Sequence, residues 1–124
     1  MGLDLGGSGA KAAAFTADGR PLSIAKVGYT LESPQVGWRE FDPHVQWAAL
    51  TGAIRTVTAT PAVRRDPIRA IGISVAGEAV VPVGPDGGPL ANSIASFDPR
   101  GNEYVPLLDE RVGASTSSGS RGSR

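Results

Sequence analysis

The first fifteen residues, MGLDLGGSGAKAAAF, constrain the fold most. A short apolar run of Met1, Leu3 and Leu5 carries one acid, Asp4, near its end. Gly6, Gly7 and Gly9 then surround Ser8, and Lys11 opens a second run of small apolar residues, Ala12 to Phe15. Glycine lets the backbone approach a ligand closely and turn its N–H groups toward it. Such groups, together with a lysine, suit phosphate, and a carboxylate just before the turn suits a magnesium ion or its bound water.

Three phosphate-loop patterns compete for this stretch. The P-loop needs Gly-x-x-x-x-Gly-Lys-Ser/Thr, which is absent. Gly7-x-Gly9-x-x-Ala12 fits the loose dinucleotide pattern, but that pattern must open a helix. Here the turn signal Asp18-Gly19 follows after only a strand's length of chain, which leaves no room for one. A strand–turn–strand hairpin remains, with the phosphates held by the turn. Asp4-x-Gly6 with Lys11 resembles the first phosphate motif of the actin, Hsp70 and sugar-kinase group of ATPases.

With 124 residues, of which 40% are hydrophobic, the chain is long enough for one small domain with a core. A net charge of zero provides no field to attract nucleic acid or an anionic membrane, so neither is expected as a partner. The absence of cysteine excludes a disulfide scaffold and cysteine-based zinc sites and agrees with a cytoplasmic location. No apolar run approaches a membrane span. His44, a lone histidine expected at the surface, supports neither zinc binding nor a Ser-His-Asp mechanism. Arg64, Arg65 and Arg69 read as a solvated linker.

Along the chain, Ala10–Thr16 reads as a second strand whose alanines suit a crowded, two-sided interior. Arg20–Leu31 reads as a third, with slipped alternation near Lys26–Gly28 that suggests a bulge. A loop over 32–41 leads to a helix capped by Asp42 with Pro43 in its first turn. Trp47, Leu50, Ile54 and Val57 fall on one face of it, which is expected to be buried. Pro61 and Pro67 bracket its exit. A fourth strand over Arg69–Ser74 is followed by a bend at Val75–Ala79. A fifth strand over Val80–Val83, a hairpin turn at Gly84–Gly88 and a return strand over Leu90–Phe97 come next. Asp98–Gly101 reads as a turn or a helix start, and Asn102–Val112 is weakly helical. The Ser/Gly/Arg stretch from Gly113 to Arg124 cannot bury enough apolar surface to fold and reads as a disordered tail, leaving 1–112 as the folded part.

Three stretches, taken in order, resemble the N-terminal region of the FGGY carbohydrate kinases, the family of xylulokinase, gluconate kinase and glycerol kinase. They are Leu3–Gly6 through Lys11, then Gly37–Pro43 leading into the helix with Trp47. The third is Ile71–Ser74 with the bend at Gly77-Glu78, the Asp-Gly turn and Phe97–Arg100. The resemblance implies an α/β fold, the first part of an actin-like, ribonuclease H-like ATPase domain. In it an antiparallel meander, a crossover helix and a fourth strand parallel to the first form one mixed sheet. It implies ATP and magnesium as cofactors and a sugar or polyol as substrate. Asp4 matches the aspartate that handles magnesium. Gly6, Gly7, Ser8, Gly9 and Lys11 match the nucleotide-binding turn and its following base. Gly77 and Glu78 fall on the substrate loop, Glu78 where glycerol kinase-like members hold a substrate hydroxyl. Asp98 and Arg100 match the end of a Trp-x-Asp-x-Arg substrate segment whose tryptophan is Ser96 here.

Other departures matter. Gly7 stands where a hydroxyl residue is usual, and Ala76-Gly77-Glu78 replaces the Gln-Met-His of xylulokinase-like members, which argues against a ketopentose. Family members run several times longer. The resemblance puts their general base and second phosphate motif beyond Arg124, so no catalytic residue is expected within this chain and it should not turn over alone.

Each residue also has a plainer reading. Asp4 caps the turn, Lys11 is a solvated strand-edge lysine, the glycines only make the turn, and Glu78 is a loop acid. Asp98 and Arg100 form a local turn or ion pair, and Trp38 packs on the helix. At the level of the protein, the rivals are a truncated, non-catalytic binding module and an actin- or chaperone-type nucleotide switch. The 37–43 element and the hairpin argue against the switch.

Overall fold

The computed structural model describes residues 1–77 and 79–112. Strands β1 (Gly2–Gly6), β2 (Gly9–Phe15) and β3 (Pro21–Gly28) form an antiparallel meander. The helix α1 (Pro43–Thr58) and a short helix α2 (Pro61–Arg65) cross over to β5 (Gly72–Val75), which pairs parallel to β1. The sheet order is β3-β2-β1-β5, the mixed sheet with one crossover expected from the sequence. Between these elements, β4 (Glu40–Phe41) precedes α1 and later pairs with β6 (Ser93–Ile94) in a separate two-stranded sheet. A 3-10 turn (Asn102–Tyr104) leads into α3 (Val105–Val112), none of whose residues is buried.

Alternation along the strands decides which side is filled. Successive strand residues point to opposite faces, so Leu3 of β1 and Ala10, Ala12 and Ala14 of β2 share one face, and all four are buried. Helix α1 lies on that face and contributes Ala53 and Val57 to the core, joined by Val63 of α2. The crowding expected of the alanine run is therefore one-sided: Lys11, Ala13 and Phe15 look out from the other face.

Helix α1 starts as expected. The Asp42 carboxylate accepts a hydrogen bond from the His44 N–H at 2.8 Å, and Pro43 follows the cap. Its buried stripe differs from the expected one. Ala49, Ala53 and Val57 are buried, whereas Trp47 is 68% exposed. At about 100° per residue, Trp47 lies about 120° around the helix from Ala53. Small side chains at the contact let the helix sit close against the alanines of β2. That rotates the larger residues Leu50 and Ile54 to the flank and turns Trp47 outward.

Other boundaries also differ from expectation. The third strand ends at Gly28, not Leu31, and the irregularity lies between Ala14 and Phe15, not at Lys26–Gly28. The linker of Arg64 and Arg65 is one turn of helix whose apolar residue, Val63, seals the core edge. The hairpin expected over residues 80–97 pairs at the single bridge Val83↔Pro89. Proline has no N–H to give a ladder, and Pro82 and Pro89 flank this turn. The return segment pairs instead with β4. The expected tail, 113–124, lies outside the described residues, and Arg124 with it.

The two hairpin turns use glycine differently. Gly19 has φ +88°, the left-handed conformation that favours glycine. Gly9 is required by crowding, since a Cβ there would sit 2.7 Å from the Val27 carbonyl oxygen and 3.1 Å from the Gly28 Cα. At Gly7 a Cβ would meet nothing within 4 Å. Gly9→Ala should therefore destabilise the chain by about 1–3 kcal/mol, the usual cost of overpacking, and Gly7→Ala by less than about 0.5 kcal/mol. Urea unfolding of the two variants side by side checks both values.

Candidate functional site

The hairpin turn lies at the C-terminal end of β1. Gly6 pairs with Gly9, leaving Gly7 and Ser8 as a two-residue loop. The loop is held from one side by β3 and the residue after it. The Tyr29 N–H donates to the Ser8 carbonyl at 3.3 Å, and the Tyr29 hydroxyl donates to the Gly6 carbonyl. The ring of Tyr29 meets Phe41 edge-on with centroids 6.4 Å apart, and Gln46 of α1 donates to its hydroxyl at 3.4 Å. Tyr29 thus ties the turn to the helix and to β4. Sequence reasoning missed it, because its partners lie 17 and 23 residues away and no local pattern marks them.

Asp4 and Lys11 are brought together. They are paired across β1 and β2, both project from the face away from α1, and Lys11 Nζ lies 3.7 Å from Asp4 Oδ2. Both side chains are about half exposed, so the pair contributes little to stability. The Asp4 carboxylate keeps an oxygen with no protein partner among the described residues, and space above Gly7 is open. A hard oxygen donor beside an open glycine turn and an amine fits a magnesium ion and the phosphates it accompanies. The Ser8 hydroxyl makes no hydrogen bond among the described residues and stands exposed at the same turn.

The four expected substrate residues are not all in one place. Gly77 lines a cleft of ≈ 360 Å³ together with Gly7, Phe41, Ser96 and Phe97. Glu78 lies outside the described residues. Asp98 and Arg100 border a second, larger cleft of ≈ 570 Å³ beside Asn92 and Asn102, with Ser96 lining both. The general base, expected beyond Arg124, lies outside the described residues.

Asp98 is fully committed to its neighbours. Its side chain is 0% exposed. Oδ1 accepts from the Arg100 N–H at 2.9 Å and from Arg100 Nε at 2.8 Å. Oδ2 accepts from the Arg39 N–H at 2.6 Å and from Arg100 Nη2 at 2.8 Å. Four donors fill the four acceptor positions of a carboxylate. Arg100 also donates from Nη1 to Glu40 Oε1 at 2.6 Å, and its guanidinium carbon lies 4.0 Å from the centroid of the Trp38 ring. Asn92 completes the group by donating to Glu32 and Glu40 at 3.1 Å each. The plainer reading of Asp98 and Arg100 as an ion pair therefore describes the geometry, and the pair also reaches across to the 32–41 segment. Trp38 stacks on Arg100. Glu40 and Asn92 were not singled out from sequence, because their partners lie 52 and 60 residues away.

The guanidinium of Arg100 holds the Asp98 carboxyl well below the usual carboxylate range; burial opposes this, and the N–H groups of Arg39 and Arg100 reinforce it. The same bonds raise the already high Arg100 pKa. A depressed folded-state pKa contributes stability that is complete above the unfolded value, about 3.9, and fades as the pH falls toward the folded value.

The mixed sheet of order β3-β2-β1-β5 with its crossover helix is shared with solved sugar kinases and places the chain in the actin-like ATPase fold. The chain matches the FGGY family of carbohydrate kinases, N-terminal domain, over residues 1–122, and it belongs to that family. It is 34% identical over 110 residues to the L-xylulose/3-keto-L-gulonate kinase of Escherichia coli (strain K12), covering 89% of this chain and 22% of that protein. Among solved structures, the xylulose kinase of Rhodospirillum rubrum superposes with a TM-score of 0.83 at 28% identity, covering 92% of this chain and 23% of that one. The gluconate kinase of Lactobacillus acidophilus superposes at 0.75 and 26% identity, covering 89% and 22%. The chain thus spans less than a quarter of the length of these relatives.

Asp98→Asn should lower the melting temperature markedly at pH 7, because it removes the buried charge facing Arg100 and sets an NH2 donor against two of the four N–H donors. The gap between wild type and variant should narrow as the pH falls below about 4. Thermal melts of both proteins between pH 3 and 7 check the direction. A gap independent of pH would mean that the Asp98 charge contributes nothing.

Proposed function

We propose that this chain is the nucleotide-gripping portion of a cytoplasmic, ATP-dependent carbohydrate kinase that phosphorylates a hydroxyl of a sugar or polyol. The observation that carries this reading is the Asp4–Lys11 pair beside the Gly6–Gly9 turn on the open face of the sheet. Family membership supports the activity, and the relatives named above are sugar and sugar-acid kinases. The cytoplasmic assignment is supported by the lack of cysteine and of any helix, among the described residues, long and apolar enough to cross a membrane.

MgATP supplies the phosphoryl group, and its magnesium offsets charge on the phosphates. Lys11 neutralises phosphate charge, the N–H groups of the Gly6–Gly9 turn and the Ser8 hydroxyl orient the phosphate oxygens, and Asp4 holds the metal or its water. Gly77 and Glu78 serve the sugar, and Gly77 shares its cleft with Gly7 of the nucleotide turn. Asp98 and Arg100 serve the sugar by shaping the neighbouring wall, since the Asp98 oxygens are already occupied and only Arg100 keeps unused donors. Residues 1–112 act as one domain in this reading. The 124-residue chain binds nucleotide without turnover, because it spans less than a quarter of the length of its kinase relatives and holds one half of the clamp.

Lys11→Met and Asp4→Asn should each weaken MgATP binding to the chain about tenfold or more, as expected for loss of a charged hydrogen bond of about 1.5–3 kcal/mol. Their melting temperatures should stay near wild type. Titration calorimetry reads the affinity, and a coupled assay with a sugar panel should show no sugar-dependent ADP release. Unchanged affinity in both variants would overturn the nucleotide reading, and turnover by the chain would overturn the half-clamp reading.

A further inference from the structure

At its turn end, the sheet face directed away from α1 carries a row of glycines. Gly28, Gly9 and Gly6 stand side by side across β3, β2 and β1, through the pairs Gly28↔Gly9 and Gly9↔Gly6. Next to them on the same face lie Lys26, Lys11, Asp4 and Ser74, through Lys26↔Lys11, Lys11↔Asp4 and Asp4↔Ser74. These residues point away from α1, because their strand neighbours Ala25, Val27, Ala12 and Leu3 pack in or against the core.

Neither Gly6 and Gly28 nor Lys26 is explained by the chain's own packing. Glycine inside a strand weakens it and often marks a place where a ligand lies close to the backbone. At Gly6 and Gly28 a Cβ would meet nothing nearer than 3.8 Å, and neither residue has a positive φ. Gly9 alone of the three is forced by crowding. Lys11 and Lys26, meanwhile, are directly opposed on neighbouring strands, with Cβ atoms about 4.5–5.5 Å apart. Like charges so placed repel. Asp4 reaches Lys11, whereas Lys26 makes no ion pair among the described residues and is exposed. The row carries two positive charges and one negative, on a surface with room for a flat occupant. An apolar covering segment would strand the Lys26 charge in a dry contact, whereas a polyanion offsets the excess positive charge of the row.

We propose that Lys26 is a phosphate-binding residue, which with Lys11 clamps the polyphosphate of a nucleotide lying across the Gly28–Gly9–Gly6 platform. The proposal rests on the nucleotide reading above and extends its grip one strand further, to β3. Two amines on adjacent strands match two successive phosphates better than one, so a triphosphate is the favoured ligand class. Lys26 acts by charge, and arginine in its place serves as well.

The test uses the 124-residue chain with two probes, MgATP and inorganic tripolyphosphate, in wild type, Lys26→Gln, Lys26→Arg and Lys11→Gln. Lys26→Gln should weaken binding of both probes about five- to tenfold, the scale of one lost charge-assisted contact. Lys26→Arg should stay within about twofold of wild type. In wild type, both probes should protect Lys11 and Lys26 together from acetylation, read by mass spectrometry. Wild-type affinity in Lys26→Gln, with binding lost in Lys11→Gln, would overturn the role of Lys26 while leaving the nucleotide reading standing. Absence of any probe binding or lysine protection would overturn both.

Discussion

Close contact between α1 and the alanine face of β2 is the constraint on which the rest of this structure depends. Ala10, Ala12 and Ala14 are fully buried, and Ala12 and Ala14 share one core cluster with Ala53 and Val57 of the helix. Small side chains on both partners bring the helix near the sheet and settle which face is filled. Because strand residues alternate, the same contact sends Asp4, Lys11, Lys26 and Ser74 to the opposite face. A one-residue slip between β1 and β2 would bury the charges and expose the alanines. Packing energy on one side thus enforces the register that aligns the charged row on the other.

A second network fixes the ground around the clefts. Arg100 binds Asp98 and Glu40 and stacks on Trp38, while the Arg39 N–H and Asn92 draw the same loops together. This ties the 32–41 segment, which leads into α1, to the 92–100 segment, which borders both clefts. The network is held by charge-assisted hydrogen bonds among partly buried groups, which are stronger than their surface equivalents. Tyr29 plays the corresponding part at the glycine turn, linking the Gly6–Ser8 backbone to Phe41 and α1. Phe41 adjoins both networks, since its neighbour Glu40 belongs to the arginine cluster and its own side chain lines the Gly77 cleft.

Much of this was legible in the residue pattern. The two hairpin turns and the helix cap at Asp42 are marked by glycine, proline and apolar spacing, which act over a few residues, whereas the parallel return of β5 beside β1 was implied by the family resemblance. The Asp4–Lys11 meeting also follows from short range, since a two-residue loop after Gly6 places them opposite. The failures lie where neighbours are distant. The buried stripe of α1 lies about 80° around the helix from the expected one, because spacing reveals a face but the alanines of β2 select which face fits. The expected 80–83 strand gave way to a single bridge because prolines lack donors, and the return segment found β4, much earlier in the chain, instead.

The amino-acid sequence on its own determined the local elements, the glycine turn with its acid and lysine, and membership of the FGGY family, because those rest on backbone chemistry within one hairpin or on motif order. Only the tertiary structure decided that Arg100 reaches Glu40 and Trp38, that Trp47 is outside, and that Lys26 joins Lys11 on one face. The physical reason is common to all three. Whether a charge or an aromatic ring is satisfied depends on what stands opposite it in space, and these partners are brought there by the packing of the sheet, α1 and the segment preceding it.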